Sequence, residues 1–291
     1  MKVSGFSFVK NAVQYDYPVI ESITSILPLC DEFVIAIGDC DDGTRELIES
    51  MEEPKIRIID TVWDETLREG GKVLAAETNK ALKEISKDAD WAFYIQADEV
   101  VHEKCLPAIK EAMLQYKDDD MVDGLLFNYL HFYGSFDYIG ASSNWYNHEI
   151  RVIKNNTSIY SYKDAQGFRK NDNEKLQVKA IPANIHHYGW VREPEAMQRK
   201  QTNFRSLYRG KEEIEKAKCL PAAYVYEDSI HKIKPFKGTH PKIIGERIQK
   251  KNWKFDYDIS MSKISAKDKS KKILKKCFGI DLNYRNYILL K

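Results

Sequence analysis

The chain has 291 residues, 45 Lys+Arg against 44 Asp+Glu, 43% hydrophobic residues, 14 Gly and 9 Pro. That composition excludes a disordered, collagen-like or disulfide-stapled chain, and a net charge of +1 argues against a general nucleic-acid binder. The length suits one large α/β domain with additions, or two smaller domains. The neutrality is a cancellation. Residues 231–291 hold 17 Lys+Arg and 5 Asp+Glu, a balance of +12, which leaves −11 on residues 1–230. Two units are therefore expected: an acidic body over 1–230 and a basic extension over 231–291. No apolar run approaches the ~20 residues that span a bilayer. The start, Met1-Lys2-Val3-Ser4-Gly5-Phe6, lacks a signal peptide's apolar stretch, so the expected location is the cytoplasm. Five scattered cysteines without a C-x-x-C support neither a zinc site nor a disulfide framework.

In chain order, Val3–Val9 reads as a strand, and Pro18 opens a helix through Val19, Ile20, Ile23 and Leu27. Phe33–Ile37 is an apolar strand suited to burial on both faces. A polar turn over 38–44 leads into a short helix at Arg45–Met51, followed by a strand at Ile56–Ile59. A loop over Thr61–Gly71 precedes a helix from Lys72 to about Ser86. Trp91–Ile95 is a fourth strand ending in Gln96-Ala97-Asp98-Glu99, and Cys105–Tyr116 is a helix. Strand–helix alternation of this kind predicts a mainly parallel sheet with helices on both faces. Beyond it, Gly124–Tyr133, Glu149–Lys154, Ile159–Tyr162 and Leu176–Ile181 read as strands without intervening helices, which predicts an antiparallel portion. Pro194–Tyr208 and Ile243–Lys251 read as helices, and Lys263–Cys277 as a Lys-rich, weakly amphipathic one.

Ligands of open α/β sheets bind beyond the carboxyl ends of the strands. Two acidic clusters stand at such ends: Asp39, Asp41 and Asp42 after the second strand, and Asp98 with Glu99 after the fourth. Gathered carboxylates repel unless a cation or donor groups compensate them, and a hard divalent cation shared with a diphosphate is one such compensation. Asp41 and Asp42 also suit a plain turn and helix cap. The sequence has no G-x-G-x-x-G after the first strand, no G-x-x-x-x-G-K-[ST] and no G-x-S-x-G. These absences disfavour a dinucleotide-binding domain, a phosphate-loop enzyme and an α/β-hydrolase.

Four segments in order carry a resemblance. They are Phe6–Asn11; Asp31 through Thr44; Lys72 with Asn79-Lys80-Ala81-Leu82; and Asp90-Trp91 with Gln96-Ala97-Asp98-Glu99. Over roughly residues 1–155 the chain resembles the family 2 glycosyltransferases, which have the GT-A fold and use nucleotide-diphosphate sugars. The resemblance implies an α/β, GT-A-type architecture: a mainly parallel sheet with an antiparallel portion and a helical C-terminal extension. It places Asn11, Asp39, Asp41, Asp42, Lys72, Asn79, Gln96 and Ala97 at the nucleotide sugar. Asp98 falls at the metal and diphosphate, with Mn²⁺ or Mg²⁺ as cofactor; His187 either completes the metal shell, as a histidine does in several GT-A enzymes, or is a structural histidine. Where the family usually has Asp-x-Asp, this chain has Gln96-Ala97-Asp98.

In the second half, His148-Glu149-Ile150-Arg151 resembles the family's acceptor-side segment. Glu149 and Asp164 are the candidate general bases, since an acceptor hydroxyl needs a carboxylate within hydrogen-bond reach. On an alternating strand His186 and His187 face opposite sides, so one of them at most points into a given site. The expected function is metal-assisted, inverting transfer of a sugar from a nucleotide-diphosphate donor to a carbohydrate or lipid-linked acceptor, in polysaccharide or glycolipid synthesis. The basic extension offers contact with anionic lipid heads at the inner membrane face, or packing against the acidic body. A non-catalytic nucleotide-sugar-binding module and a sugar-1-phosphate nucleotidyltransferase are the alternatives. The latter usually needs a Gly-rich, Arg-containing loop after the first strand, which Phe6–Asn11 does not provide.

Overall fold

Four apolar runs build the centre of the protein. Val3–Val9 (β1), Glu32–Gly38 (β2), Ile56–Thr61 (β3) and Trp91–Tyr94 (β4) lie parallel in the order β3-β2-β1-β4. The computed structural model describes residues 1–67, 69–209, 221–230, 232–255, 257–259 and 285–291. Phe33, Ile35 and Ile37 join one core cluster and Val34 and Ala36 another, as the two-residue alternation of a strand requires. The first cluster is covered by Val19–Ile26 (α1), Thr44–Glu49 (α2) and Leu106–Tyr116 (α4), which bring in Ile23, Ile48 and Ile109. The second receives Ala81 of Lys72–Lys83 (α3). Helices therefore lie on both faces of the parallel part, as expected. Each Val, Ile or Phe side chain among them, taken out of water, contributes about 1.5–3 kcal/mol.

The second half adds the antiparallel portion. Glu99–Val101 (β5), Gly124–Tyr133 (β6), Ser135–Gly140 (β7), His148–Lys154 (β8) and Gln177–Trp190 (β12) join the same sheet. Ile233–Pro235 (β13) pairs with β7, and Ile288–Leu289 (β14) pairs with β12. Ile159–Tyr162 (β9), Gly167–Lys170 (β10) and Glu174–Lys175 (β11) form a small separate sheet. Because β8 runs antiparallel to β4, its amino end emerges at the edge where β1, β2 and β4 end. Glu149 thus reaches the same rim as Asp39 and Asp98.

Two segments depart from the sequence expectation. The strand expected at Leu176–Ile181 continues through the histidine pair to Trp190, because its backbone is paired with β6 on one side and, at Ile185–His187, with β5 on the other. The helix expected at Ile243–Lys251 is only one turn of 3₁₀ helix followed by Gly245–Gln249 (α6). Pro194–Arg209 (α5) is helical as expected. The Lys263–Cys277 helix expected in the basic extension lies outside the described residues. Among the described residues, no helix is long and apolar enough to cross a membrane.

Candidate active site

A cavity of about 1200 Å³ opens at the carboxyl ends of β1, β2 and β4. At one end stand Phe8, Lys10, Asn11, Asp39 and Trp63. Lys10 Nζ donates to Asp39 Oδ1 at 2.7 Å and lies 5.7 Å from the centre of the Trp63 ring. Asn11 has a φ of 55°, a left-handed turn that asparagine tolerates better than most residues. The loop beyond it is tied down by Asp42, which accepts from Gln14 N at 2.8 Å and from the Thr44 hydroxyl at 2.6 Å. Asp42 therefore caps and fastens the turn, and neither it nor the exposed Asp41 lines the cavity. Lys72 is exposed and also outside the lining. Asn79 holds α3 to β9, its amide donating to Ser161 O at 2.9 Å and its carbonyl accepting from Ser161 N at 2.7 Å.

The middle of the cavity is built around Gln96, Ala97 and Asp98. Asp98 is buried, and its Oδ2 accepts from Lys200 Nζ at 3.1 Å. His187 Nε2 stands 3.6 Å from Asp98 Oδ1. That is too long for a hydrogen bond. Burial alone would raise the Asp98 carboxyl. Lys200, His187 and Arg192 outweigh it and hold the group well below the usual range, so the site carries a carboxylate. Burial lowers Lys200 to about 8, helped by Arg192 and opposed by Asp98. Gly189 makes this approach sterically open: a Cβ there would stand 2.6 Å from His187 Cε1 and 2.8 Å from Asp98 Oδ2. Gln96 donates its side-chain amide to the Tyr94 hydroxyl at 3.3 Å and to the Ala165 carbonyl at 3.2 Å. Glu99, next to Asp98 in sequence, points away from the cavity into a buried pair with Arg151.

At the other end lie Glu149, Asp164, Gln166 and Tyr162, with Arg285, Asn286 and Tyr287 from the C-terminal segment. Glu149 Oε1 accepts from Gln166 Nε2 at 2.9 Å, while Oε2 is buried with no hydrogen-bond partner among the described residues. Burial pushes the Glu149 carboxyl up to about 8, against the opposing pull of Arg151 and Gln166. The cavity therefore has a cation–carboxylate pair at one end, an ionised carboxylate beside a histidine in the middle, and a basic carboxyl at the far end.

Several of these residues carried no readable signal. Lys200 is the one lysine of α5, set among arginines on a polar helix, and its role depends on reaching Asp98, 102 positions away. His131 touches His187 from β6. The C-terminal residues return to the rim of the cavity because β14 pairs with β12 and because Tyr162 and Arg169 bond to Asn286 at 2.8 and 3.0 Å. As alternation required, His186 faces the other way, stacking on Phe132 in a separate apolar cluster.

The donor set at the centre suits a divalent cation in part. Among the described residues, no three His, Cys, Asp or Glu side chains gather to hold a metal. Asp98 and His187 supply an oxygen and a nitrogen that face each other at 3.6 Å without a hydrogen bond, an arrangement two ligands of one ion can share. Mn²⁺ and Mg²⁺ commonly take only one or two protein ligands, with substrate phosphates filling the rest.

No family model and no curated protein matches the sequence. Among solved structures, the chain is similar to S. aureus TarS in complex with UDP, with a TM-score of 0.40 and 12% identity over 71% of this chain and 65% of that one. It is similar to 4-diphosphocytidyl-2C-methyl-D-erythritol synthase from Anaerococcus prevotii, at TM-score 0.31 and 11% identity over 53% and 70%. It is also similar to glucosyl-3-phosphoglycerate synthase from Mycobacterium tuberculosis in complex with Mn²⁺, UDP and glucosyl-3-phosphoglycerate, at TM-score 0.31 and 16% identity over 46% and 45%. The chain spans 41% of one TarS chain and 65% of another. Likenesses this distant carry no functional weight beside the geometry of the cavity itself.

Proposed function

We propose that the protein is a GT-A-type glycosyltransferase that moves a sugar from a nucleotide-diphosphate donor to an acceptor hydroxyl. The observation that carries this reading is Glu149. It is a carboxyl pushed up to about 8 by burial, with one oxygen that has no partner among the described residues, and it lines the same cavity as Asp98 and the Lys10–Asp39 pair. A nucleoside fits the Lys10, Asp39 and Trp63 end, which leaves the diphosphate beside Asp98, Lys200 and His187. The volume exceeds the 300–1,000 Å³ usual for one drug-sized ligand, which suits a donor and an acceptor held together.

In this reading the acceptor oxygen attacks the anomeric carbon from the side opposite the diphosphate. The bond to the leaving oxygen breaks and the acceptor proton passes to Glu149 Oε2, giving inversion. Glu149 is the preferred base, since a pKa near the working pH gives both an ionised fraction and a strong driving force. Asp164, on the same rim, is the second candidate. A divalent cation held by Asp98 and His187 would offset charge on the leaving diphosphate. Lys200 already places an ammonium at that point and keeps Asp98 ionised. The pathway remains the proposed one, synthesis of a polysaccharide or glycolipid at the cytoplasmic side of the membrane. The split at residue 230 between the catalytic body and a basic extension is proposed likewise.

The test is a thermal-shift panel of UDP-, GDP- and TDP-sugars with and without Mn²⁺, followed by donor hydrolysis on the stabilising compound. One donor should raise the melting temperature and be hydrolysed, and Asp98→Asn should abolish both. Binding with no turnover by the unaltered protein would favour a non-catalytic module. Failure of every donor to bind would overturn the nucleotide-sugar reading.

A further inference from the structure

Beneath His187 lies a second buried histidine with no part in the reaction described above. His131, on β6, packs edge-on against His187, with ring centres 4.9 Å apart. Its Nε2 is 2.8 Å from the Tyr146 carbonyl oxygen, and its Nδ1 is 3.0 Å from His187 Nδ1. Both contacts have hydrogen-bond length, and each needs one hydrogen between its two heavy atoms.

The placement of those hydrogens follows from what each atom can do. A carbonyl oxygen only accepts, so His131 Nε2 carries a hydrogen. The His131 ring is 3% exposed and packed among Tyr129, Trp145 and Tyr146. A charged ring there would be a buried cation that bonds no carboxylate among the described residues, so the ring is neutral and its Nδ1 is a bare lone pair. The hydrogen between the two Nδ1 atoms therefore belongs to His187. At 3.6 Å from Asp98 Oδ1, His187 Nε2 makes no hydrogen bond to that carboxylate, and a neutral ring with its hydrogen on Nδ1 has a bare Nε2 there.

We infer that His131 is a positioning residue: by accepting from His187 Nδ1 it fixes the tautomer that presents a bare Nε2 beside Asp98, ready to ligate a divalent cation. Histidine ligands commonly donate their second nitrogen to such a partner, and the partner sets which nitrogen is free. Here the partner is a second imidazole, itself locked by the Tyr146 carbonyl. Without His131 no other described residue would hold the hydrogen on Nδ1, and an Nε2–H donating to Asp98 would become the competing arrangement. The cation half of the inference rests on the proposed glycosyltransferase reading; the tautomer half is a property of the metal-free chain.

Two measurements on the full chain test it. Long-range ¹H–¹⁵N spectra of histidine-labelled protein at neutral pH, assigned through His187→Gln, should show His187 hydrogenated at Nδ1 and bare at Nε2. His131→Leu should lose that pattern. His131→Asn, which keeps an acceptor oxygen near the Nδ1 position, should retain it. Free Mn²⁺ measured by electron paramagnetic resonance, with UDP as the diphosphate probe, should show affinity weakened about 10–100-fold in His131→Leu and largely restored in His131→Asn. A parent protein with His187 hydrogenated at Nε2 overturns the inference even if His131→Leu fails to fold. So does a parent that binds Mn²⁺ with an affinity both variants share. If the parent shows the stated tautomer yet binds no Mn²⁺, the ligand role is overturned along with the metal-assisted reading, while the proton arrangement stands.

Discussion

Glu99 and Arg151 meet in a two-bond ion pair, both fully buried, directly behind the loop that presents Asp98. Arg151 Nε donates to Glu99 Oε2 at 2.8 Å, and its terminal nitrogen donates to Glu99 Oε1 at 2.7 Å. Glu99 also accepts from the Tyr129 hydroxyl at 2.7 Å and from Gln96 N at 3.1 Å. The guanidinium is flanked by the rings of Tyr94 and Tyr129 at 5.1 and 5.3 Å. The Gln96–Glu99 turn is thus fastened from behind. Breaking one side of a buried pair leaves the other charge uncompensated, which costs about 3–5 kcal/mol. Arg151→Met should lose about that much in urea unfolding, and Arg151→Met with Glu99→Leu should recover much of it.

Glu149→Gln should remove sugar transfer, lowering kcat by about 10²–10⁴-fold, the usual worth of a positioned base. Donor binding, read as a thermal shift, should persist. In the parent, the rate should rise with pH as Glu149 ionises through about 8.

The same residue makes a stability prediction with a definite sign. Its folded pKa near 8 lies above the unfolded value near 4.5. Between those pH values the unfolded state sheds a proton that the folded state keeps, so stability is present below the lower value and is lost as pH rises through the upper one. Glu149→Gln removes that loss. Its melting temperature should match or exceed the parent's at pH 8, with a smaller advantage at pH 5. A variant less stable than the parent at pH 8 would contradict the raised pKa.

Lys200→Met should destabilise the metal-free protein, since Asp98 loses its buried partner. Mn²⁺ should then raise the melting temperature by more than it does in the parent, because the ammonium no longer competes for Asp98 Oδ2. The acid limb tells the same story. Asp98 has a depressed folded pKa, so its contribution is present above the unfolded carboxylate range and disappears as pH falls below it. Lys200→Met should flatten that limb. Equal Mn²⁺ shifts in the two proteins would exclude competition.

Gly189→Ala places a methyl group within 3 Å of both His187 and Asp98. The strand itself can accept alanine, but the overpacking should cost about 1–3 kcal/mol. It should also part the two side chains and weaken Mn²⁺ binding, which calorimetry in the presence of UDP can measure.

The parallel half of the fold was legible because its strands are rich in apolar residues and bounded by polar turns, and Phe33–Ile37 is a continuous apolar run suited to burial on both faces. The rim carboxylates were legible for the same reason: Asp39 and Asp98 stand where such strands end. Glu149 was legible as a candidate carboxylate, but its raised pKa was not, because burial is a property of what packs around it. Asp42 and Asn79 show the converse. Both have the right chemistry for a ligand, and both use it on the backbone nearby.

The sequence by itself determined the α/β architecture, the strand ends that carry acidic groups, and the opposed directions of His186 and His187. These follow from local periodicity, where each residue's position depends on its immediate neighbours. Only the tertiary structure decided which carboxylate is paired, which is ionised and which is basic. Glu99 is neutralised by a residue 52 positions away, Asp98 by one 102 positions away, and His187 is oriented by one 56 positions away. Charge state and tautomer depend on distance and burial, and those exist only once remote segments have packed together.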